Sequence, residues 1–253
     1  MNTVQYQLKD KTAVVTGGTR GIGFRIAQML LEEAANVVIC GRKQEGLDAA
    51  AAALGGGERL LTVKAHIGRE EDVNNLFDTA KAGFGRIDVL INNVGMNMIA
   101  TVSDADPDLW RKIIDTNLTG TFLCSRKAAQ IMRGQNRGKI VNISSIAARK
   151  SSPAMGIYGI AKAGIEMMTK VLAHELAPHN IQVNAVAPGM VRTDFSKPFW
   201  SNDQLYGNIV KSIPLGRIAE PGDIAGPVLF LCSSASDFIT GQTLIVDGGT
   251  TVI

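Results

Sequence analysis

At 253 residues, with 45% hydrophobic and 19% charged side chains, the chain has the apolar content of a packed globular core and far too much for a disordered polymer. Its formal charge of +3 comes from 26 basic and 23 acidic residues scattered along the sequence, without the basic stripe that binding a phosphate backbone requires, so no nucleic-acid partner is expected. The three cysteines, Cys40, Cys124 and Cys232, are widely spaced in or beside apolar stretches; they fit neither a disulfide framework nor a zinc pattern, and no metal is expected.

The first residues, MNTVQYQLKDK, lack the apolar run of a signal peptide, and no segment approaches the roughly 20 uninterrupted apolar residues of a membrane span. A cytoplasmic protein without a membrane partner is the expectation. The first element, Thr12 to Thr16, reads as a continuously apolar strand, and Gly17-Gly18-Thr19-Arg20-Gly21-Ile22-Gly23 follows it directly. This loop opens an apolar helical pattern from Gly23 to Glu33. Glycines so placed permit a tight turn at Gly17, close approach of backbone amides to a pyrophosphate at Gly21, and tight helix-to-strand packing at Gly23. The spacing is G-x3-G-x-G. A second strand, Asn36 to Cys40, ends on Gly41-Arg42-Lys43, where an enzyme selecting NAD would be expected to place an acid for the ribose 2′-hydroxyl. Arg42, with Arg20 in the glycine loop, instead suits a 2′-phosphate, so the expected cofactor is NADP(H).

Helix Gln44 to Leu54, strand Leu60 to Lys64, helix Glu70 to Ala82 and strand Ile87 to Asn92 continue the alternation. A long helical pattern spans Pro107 to Met132, followed by strand Lys139 to Ser144, helix Ile157 to Leu176, strand Ile181 to Val186, helix Pro221 to Ser233 and strand Thr243 to Val246. Strands apolar on both sides and separated by amphipathic helices predict an α/β fold: a Rossmann-type, doubly wound, seven-stranded parallel sheet with helices on both faces. With no linker or compositional break, residues 1–253 read as a single cofactor-binding and catalytic domain, and 194–215 as a long irregular insert.

Ligands of such sheets bind beyond the carboxyl ends of the strands, where Ser144-Ser145 stands after the fifth. Downstream, Tyr158 and Lys162 are spaced Tyr-x-x-x-Lys, which places both on one helical face. A phenol with a pKa of about 10 becomes a usable acid and base if a neighbouring ammonium stabilises its phenolate.

With the glycine loop, Ser145 and the Tyr158/Lys162 pair in this order, and with Asn92-Asn93-Val94-Gly95, Asn117, Pro188-Gly189, Thr193 and the terminal Asp247-Gly248-Gly249, the chain resembles the short-chain dehydrogenases/reductases of the compact, single-domain subgroup. The likeness covers essentially the whole length. It implies that Ser145 orients a substrate oxygen, Tyr158 exchanges its proton, Lys162 holds the nicotinamide ribose, and Asn117 holds a water in a relay through the lysine. It further implies a cofactor lined by Gly17, Thr19, Arg20, Gly21, Ile22, Gly23, Arg42, His66, Ile67, Asn93, Val94, Gly95, Pro188, Gly189, Val191 and Thr193, and a homotetramer built on the helices containing Asn117 to Met132 and Ile157 to Leu176. Two departures are visible. Val94 replaces the alanine common in the family, and His66 stands where an adenine-contacting aspartate is frequent.

Phe195, Phe199, Trp200 and Tyr206 crowd into the insert and suggest a lid over a hydrophobic substrate, with Ile146, Met96, Met98 and Met155 as further pocket wall beside Ser145. The expected reaction is NADPH-driven reduction of a hydrophobic ketone to its alcohol, or the reverse. Reduction of a 3-oxoacyl group on acyl carrier protein is the alternative. Asn136 and His179 align where such enzymes carry docking arginines, though Arg133 and Arg137 lie nearby. A non-catalytic NADP-binding module is a third reading, against which the intact Ser145, Tyr158 and Lys162 argue.

Overall fold

The computed structural model describes residues 6–151 and 155–252. The opening residues 1–5, on which part of the amino-terminal reading rests, lie outside them. Strands β1 (Thr12–Thr16), β2 (Asn36–Gly41), β3 (Leu60–Lys64), β4 (Val89–Asn92), β5 (Gly138–Ile143), β6 (Ile181–Pro188) and β7 (Thr243–Val246) form one seven-stranded sheet ordered β3-β2-β1-β4-β5-β6-β7. Every pairing is parallel. The helices are α1 (Gly21–Glu32), α2 (Gln44–Leu54), α3 (Glu70–Phe84), α4 (Pro107–Ile114), α5 (Gly120–Gln135), α6 (Gly156–Leu176), α7 (Lys197–Trp200), α8 (Asp203–Lys211) and α9 (Pro221–Cys232).

Alternation along the strands divides the core into two layers. Val15, Ile39, Ile91, Val141 and Val186 face Ile26, Leu30, Ile224 and Val228 of α1 and α9. The residues just before the first four, Val14, Val38, Leu90 and Ile140, together with Val183 of β6, face Leu76, Phe77, Ala128 and Ala173 of α3, α5 and α6. Each such buried aliphatic contributes about 1.5–3 kcal/mol, so neither face can be left to water. The continuously apolar strands are the direct result. Cys40, Cys124 and Cys232 are all free and buried in these layers.

The chain steps outward from β1 to β3, then returns to lay β4 on the other side of β1. That reversal opens a crevice beyond the carboxyl ends of β1 and β4. Two segments differ from the sequence expectation. The helix expected from Pro107 to Met132 is interrupted by a π turn, Asp115–Thr119, whose extra residue is accommodated because the Asn117 amide donates to the Ile113 carbonyl (2.8 Å). The insert at 194–215 is not irregular: it contains α7 and α8, the latter capped by the Asn202 side chain accepting from the Leu205 amide (3.0 Å). No helix among the described residues is long and apolar enough to cross a membrane.

Candidate active site

The glycine loop occupies the crevice. Gly21 has φ +57°, a conformation a side chain would strain, and α1 begins there without any side-chain hydrogen bond to its first amides. A Cβ on Gly23 would lie 2.4 Å from both the Gly17 carbonyl oxygen and Asn93 Nδ2, so helix and loop pack with no space for one. Asn93 joins β4 to the loop: its Nδ2 donates to the carbonyls of Thr16 (3.0 Å) and Gly17 (3.1 Å), and its backbone amide donates to Thr16 Oγ1 (3.0 Å). A cavity of about 740 Å³ runs from this loop and Arg42, past His66, Ile67, Val94 and Gly95, to Ser145, Tyr158 and Lys162.

Free helix amides at one end and basic side chains at Arg20 and Arg42 fit a dinucleotide phosphate. Arg42 is exposed on the cavity rim and has no carboxylate within salt-bridge distance among the described residues. Arg20 is also exposed but stands 3.7 Å from Asp194 of the 194–215 insert. His66 is held by its own loop, its Nδ1 accepting from the Gly68 amide (3.2 Å) and its amide donating to Asp72 (2.7 Å). Thr19, Ile22, Pro188, Gly189, Val191 and Thr193 complete this part of the wall, whereas Gly23 lies behind the loop.

At the other end, the first turn of α6 carries Tyr158, and Lys162 follows one turn later; they are 8% and 2% exposed. Ser145, leaving β5, caps the 3₁₀ turn Ile146–Ala148 by accepting from the Ala147 amide (3.1 Å). The lysine Nζ donates to the Ile143 carbonyl (2.7 Å) and sits 5.4 Å from the centroid of the Tyr158 ring. Burial pushes the phenol up to about 12, against the opposing pull of the neighbouring Ser145 hydroxyl. Burial also pushes the amine down to about 7. Desolvation thus acts on both groups: it penalises the phenolate and, by disfavouring the ammonium, weakens the cation expected to support it.

Asn117 is buried and lies off the cavity wall. Its Nδ2 donates to the Met96 and Ile113 carbonyls (2.8 Å each), while its Oδ1 accepts from the Met96 amide (3.1 Å). The side chain thus fixes the π turn and the segment after β4. Its main-chain carbonyl accepts from Thr121 Oγ1 (2.6 Å).

Of the pocket residues expected from the sequence, Met96, Ile146, Met155, Phe195 and Phe199 line the cavity. The Phe195 ring lies 5.9 Å from that of Tyr158. Met98, Trp200 and Tyr206 do not line it. Met98 points outward, 47% exposed. Trp200 and Tyr206 are drawn to the Arg192 guanidinium, at 4.9 and 5.6 Å, because a cation above an aromatic face is a better partner than open cavity. Trp200 Nε1 also donates to the Thr193 carbonyl (3.2 Å) and Ser196 Oγ (3.0 Å). Residues not anticipated include Asn97, Thr116, Lys150, Ile209, Ile213 and Thr250.

Residues 17–251 match the family model described as enoyl-(acyl carrier protein) reductase. The chain is 38% identical over 245 residues to "Dehydrogenase/reductase SDR family member 4" of Homo sapiens, covering 96% of this chain and 88% of that protein. It is 38% identical over 248 residues to a 3alpha-hydroxysteroid dehydrogenase of Mediterraneibacter gnavus, covering 95% of this chain and 97% of that one. A solved short-chain type dehydrogenase/reductase from Mycobacterium ulcerans superposes with a TM-score of 0.94 at 31% identity, covering 97% of this chain and 91% of that one.

Proposed function

The chain belongs to the short-chain dehydrogenase/reductase family, whose members are oxidoreductases that bind a nicotinamide cofactor, and on that premise we propose that it is an NADP(H)-dependent carbonyl reductase acting on a hydrophobic ketone, or on its alcohol in reverse. The observation that carries the proposal is the convergence of Ser145, Tyr158 and Lys162 on one cavity with the glycine loop. The cofactor, when bound, supplies or takes the hydride. Arg42 and Arg20 would hold the 2′-phosphate, the α1 amides the pyrophosphate, and Lys162 the ribose. Everything else belongs to the protein. Ser145 and the Tyr158 hydroxyl hold the carbonyl oxygen, and Tyr158 donates its proton as that oxygen gains charge. A phenol held near 12 is fully protonated at neutral pH, which suits reduction; the alcohol direction needs its phenolate and is favoured by alkaline conditions. The proton is restored through Lys162 and a water held by Asn117.

Met96, Ile146, Met155, Phe195 and Phe199 present apolar surface to the substrate, which supports a hydrophobic ketone. The acyl-carrier alternative loses support because Arg137, one of the two nearby arginines, turns towards Asp88 (3.8 Å). The proposal extends to one catalytic unit over residues 1–253, located in the cytoplasm. It also includes a homotetramer through α5 and α6, whose exposed Phe122, Ile160, Met167 and Val171 favour association. The test follows NADPH and NADH consumption over aliphatic, aromatic and acyl-thioester ketones with wild type and Tyr158→Phe. Expected are a preference for NADPH and a loss of at least about a hundredfold in the variant. Equal rates for wild type and variant overturn the mechanism, a preference for NADH overturns the arginine assignment, and activity confined to thioesters replaces the substrate class.

A further inference from the structure

Helix α6 carries a third polar side chain in line with Tyr158 and Lys162. Glu166 lies one turn beyond the lysine, and its side chain is 12% exposed. Its carboxylate receives three groups from the segment that carries Ser145. The Ser144 hydroxyl, which also stands 3.3 Å from the Lys162 carbonyl, donates to Oε1 (3.1 Å); Arg149 Nε donates to Oε2 (3.1 Å), and Nη2 forms an ion pair with the same oxygen (3.0 Å). Ser144 precedes Ser145, and Arg149 closes the 3₁₀ turn that follows it. One carboxylate thus holds both ends of the turn. The middle is held by contact, since a Cβ on Gly159 would lie 2.6 Å from the Ala147 carbonyl oxygen. On the sheet side the Ser144 amide donates to the Val186 carbonyl (2.7 Å).

We propose that Glu166 is a positioning residue, which fixes the distance between Ser145 and Tyr158 by clamping the Ser144–Arg149 turn to the helix that bears the tyrosine. The assignment rests on the catalytic reading of Tyr158 given above. A carboxylate suits this task because a fork of charged hydrogen bonds from arginine defines direction as well as distance. Alignment matters because a displacement of an ångström between reacting groups costs up to about a hundredfold in rate. The groups facing Tyr158 are Lys162 on its own helix, Ser145 from the turn and the Phe195 ring from the lid, so loosening the turn changes one of these and leaves the others.

The test compares wild type, Glu166→Ala, Glu166→Gln, Tyr158→Phe and Ile165→Val, the last a mild core substitution on the same helix, in alcohol oxidation across pH 7 to 11 at saturating oxidised cofactor, whose cationic nicotinamide lowers the phenol from its value of about 12 in the protein alone. In Glu166→Ala we expect kcat to fall between about tenfold and about a hundredfold, cofactor Kd to stay within about twofold, and the alkaline midpoint of kcat to move to higher pH as the Ser145 hydroxyl moves away from the phenol it stabilises. Glu166→Gln, which keeps an acceptor for Ser144, should recover part of the rate and part of the shift. Ile165→Val lowers the melting temperature without moving the midpoint. An unshifted midpoint in Glu166→Ala, or an equal shift in Ile165→Val, overturns the proposal. A fully active Tyr158→Phe defeats instead the reading on which it rests.

Discussion

Replacing Lys162 by methionine should change the pH dependence of folding stability in a direction opposite to that of most ion-paired lysines. The amine is ordinarily protonated up to 10.5, and burial brings it to about 7 in the folded protein. Between these values the unfolded chain binds a proton that the folded chain does not, so stability rises with pH across that window, by up to about 1.4 kcal/mol per pH unit. From pH 7.5 to 9.5 the wild type should therefore gain roughly 2 kcal/mol that Lys162→Met does not, once other titrations, common to both, cancel. Tyr158 acts in the opposite sense and later: raised to about 12, it leaves the unfolded state to ionise first, so stability falls above about pH 10. Methionine also strands the Ile143 carbonyl that accepts from Nζ (2.7 Å), but that loss is the same at both pH values and drops out of the difference. Urea denaturation of the ligand-free proteins, followed by circular dichroism at the two pH values, measures the effect. Parallel pH profiles for the two proteins, or a wild type that loses stability relative to the variant as pH rises, would refute the reasoning.

The remaining predictions concern packing. Gly23→Ala places a methyl 2.4 Å from a backbone oxygen that has no freedom to move, so thermal unfolding should show a loss of about 1–3 kcal/mol and NADPH titration a weakened Kd. Gly46→Ala in α2, where nothing lies within 4 Å, should instead gain about 0.5–1 kcal/mol; a similar loss in both would show that the helix, not the contact, is at stake. Arg192→Met removes the cation between Trp200 and Tyr206, and we expect the ketone KM to rise roughly three- to tenfold at constant cofactor Kd, with red-shifted Trp200 emission. An unchanged KM and emission would mean that the stack does not order the lid.

The sheet was legible because parallel strands covered on both faces must be apolar throughout, and Thr12–Thr16, Leu60–Lys64 and Thr243–Val246 begin and end where their composition changes. β6 runs on to Pro188 because Ala185 to Pro188 pair with β7, a long-range partnership that local composition does not display. The π turn was hidden for a related reason. Apolar spacing is helical on either side of Asp115–Thr119, and the slip is stabilised by the reach of Asn117 to Met96, distant in sequence. Trp200 and Tyr206 were misplaced because a cluster of aromatics has more than one way to be satisfied, and Arg192 stood just outside it. The spacing of Tyr158 and Lys162 announced their shared face; how burial weighs on a phenol and an amine together depends on the depth of the surrounding fold.

The burial of the cysteines gives the protein a built-in clock. Desolvation raises the thiols of Cys40 and Cys232 to about 11 and about 12, and carries Cys124 well above its ordinary value. Since only a thiolate attacks an alkylating reagent, none of the three is reactive in the closed protein near neutral pH. Each becomes reactive only when its own piece of the structure opens: the end of β2 beside the cavity for Cys40, α5 for Cys124, the end of α9 for Cys232. The rate at which each cysteine is modified therefore measures the opening free energy of its own region, three separate readings of local stability from a chain with no added label.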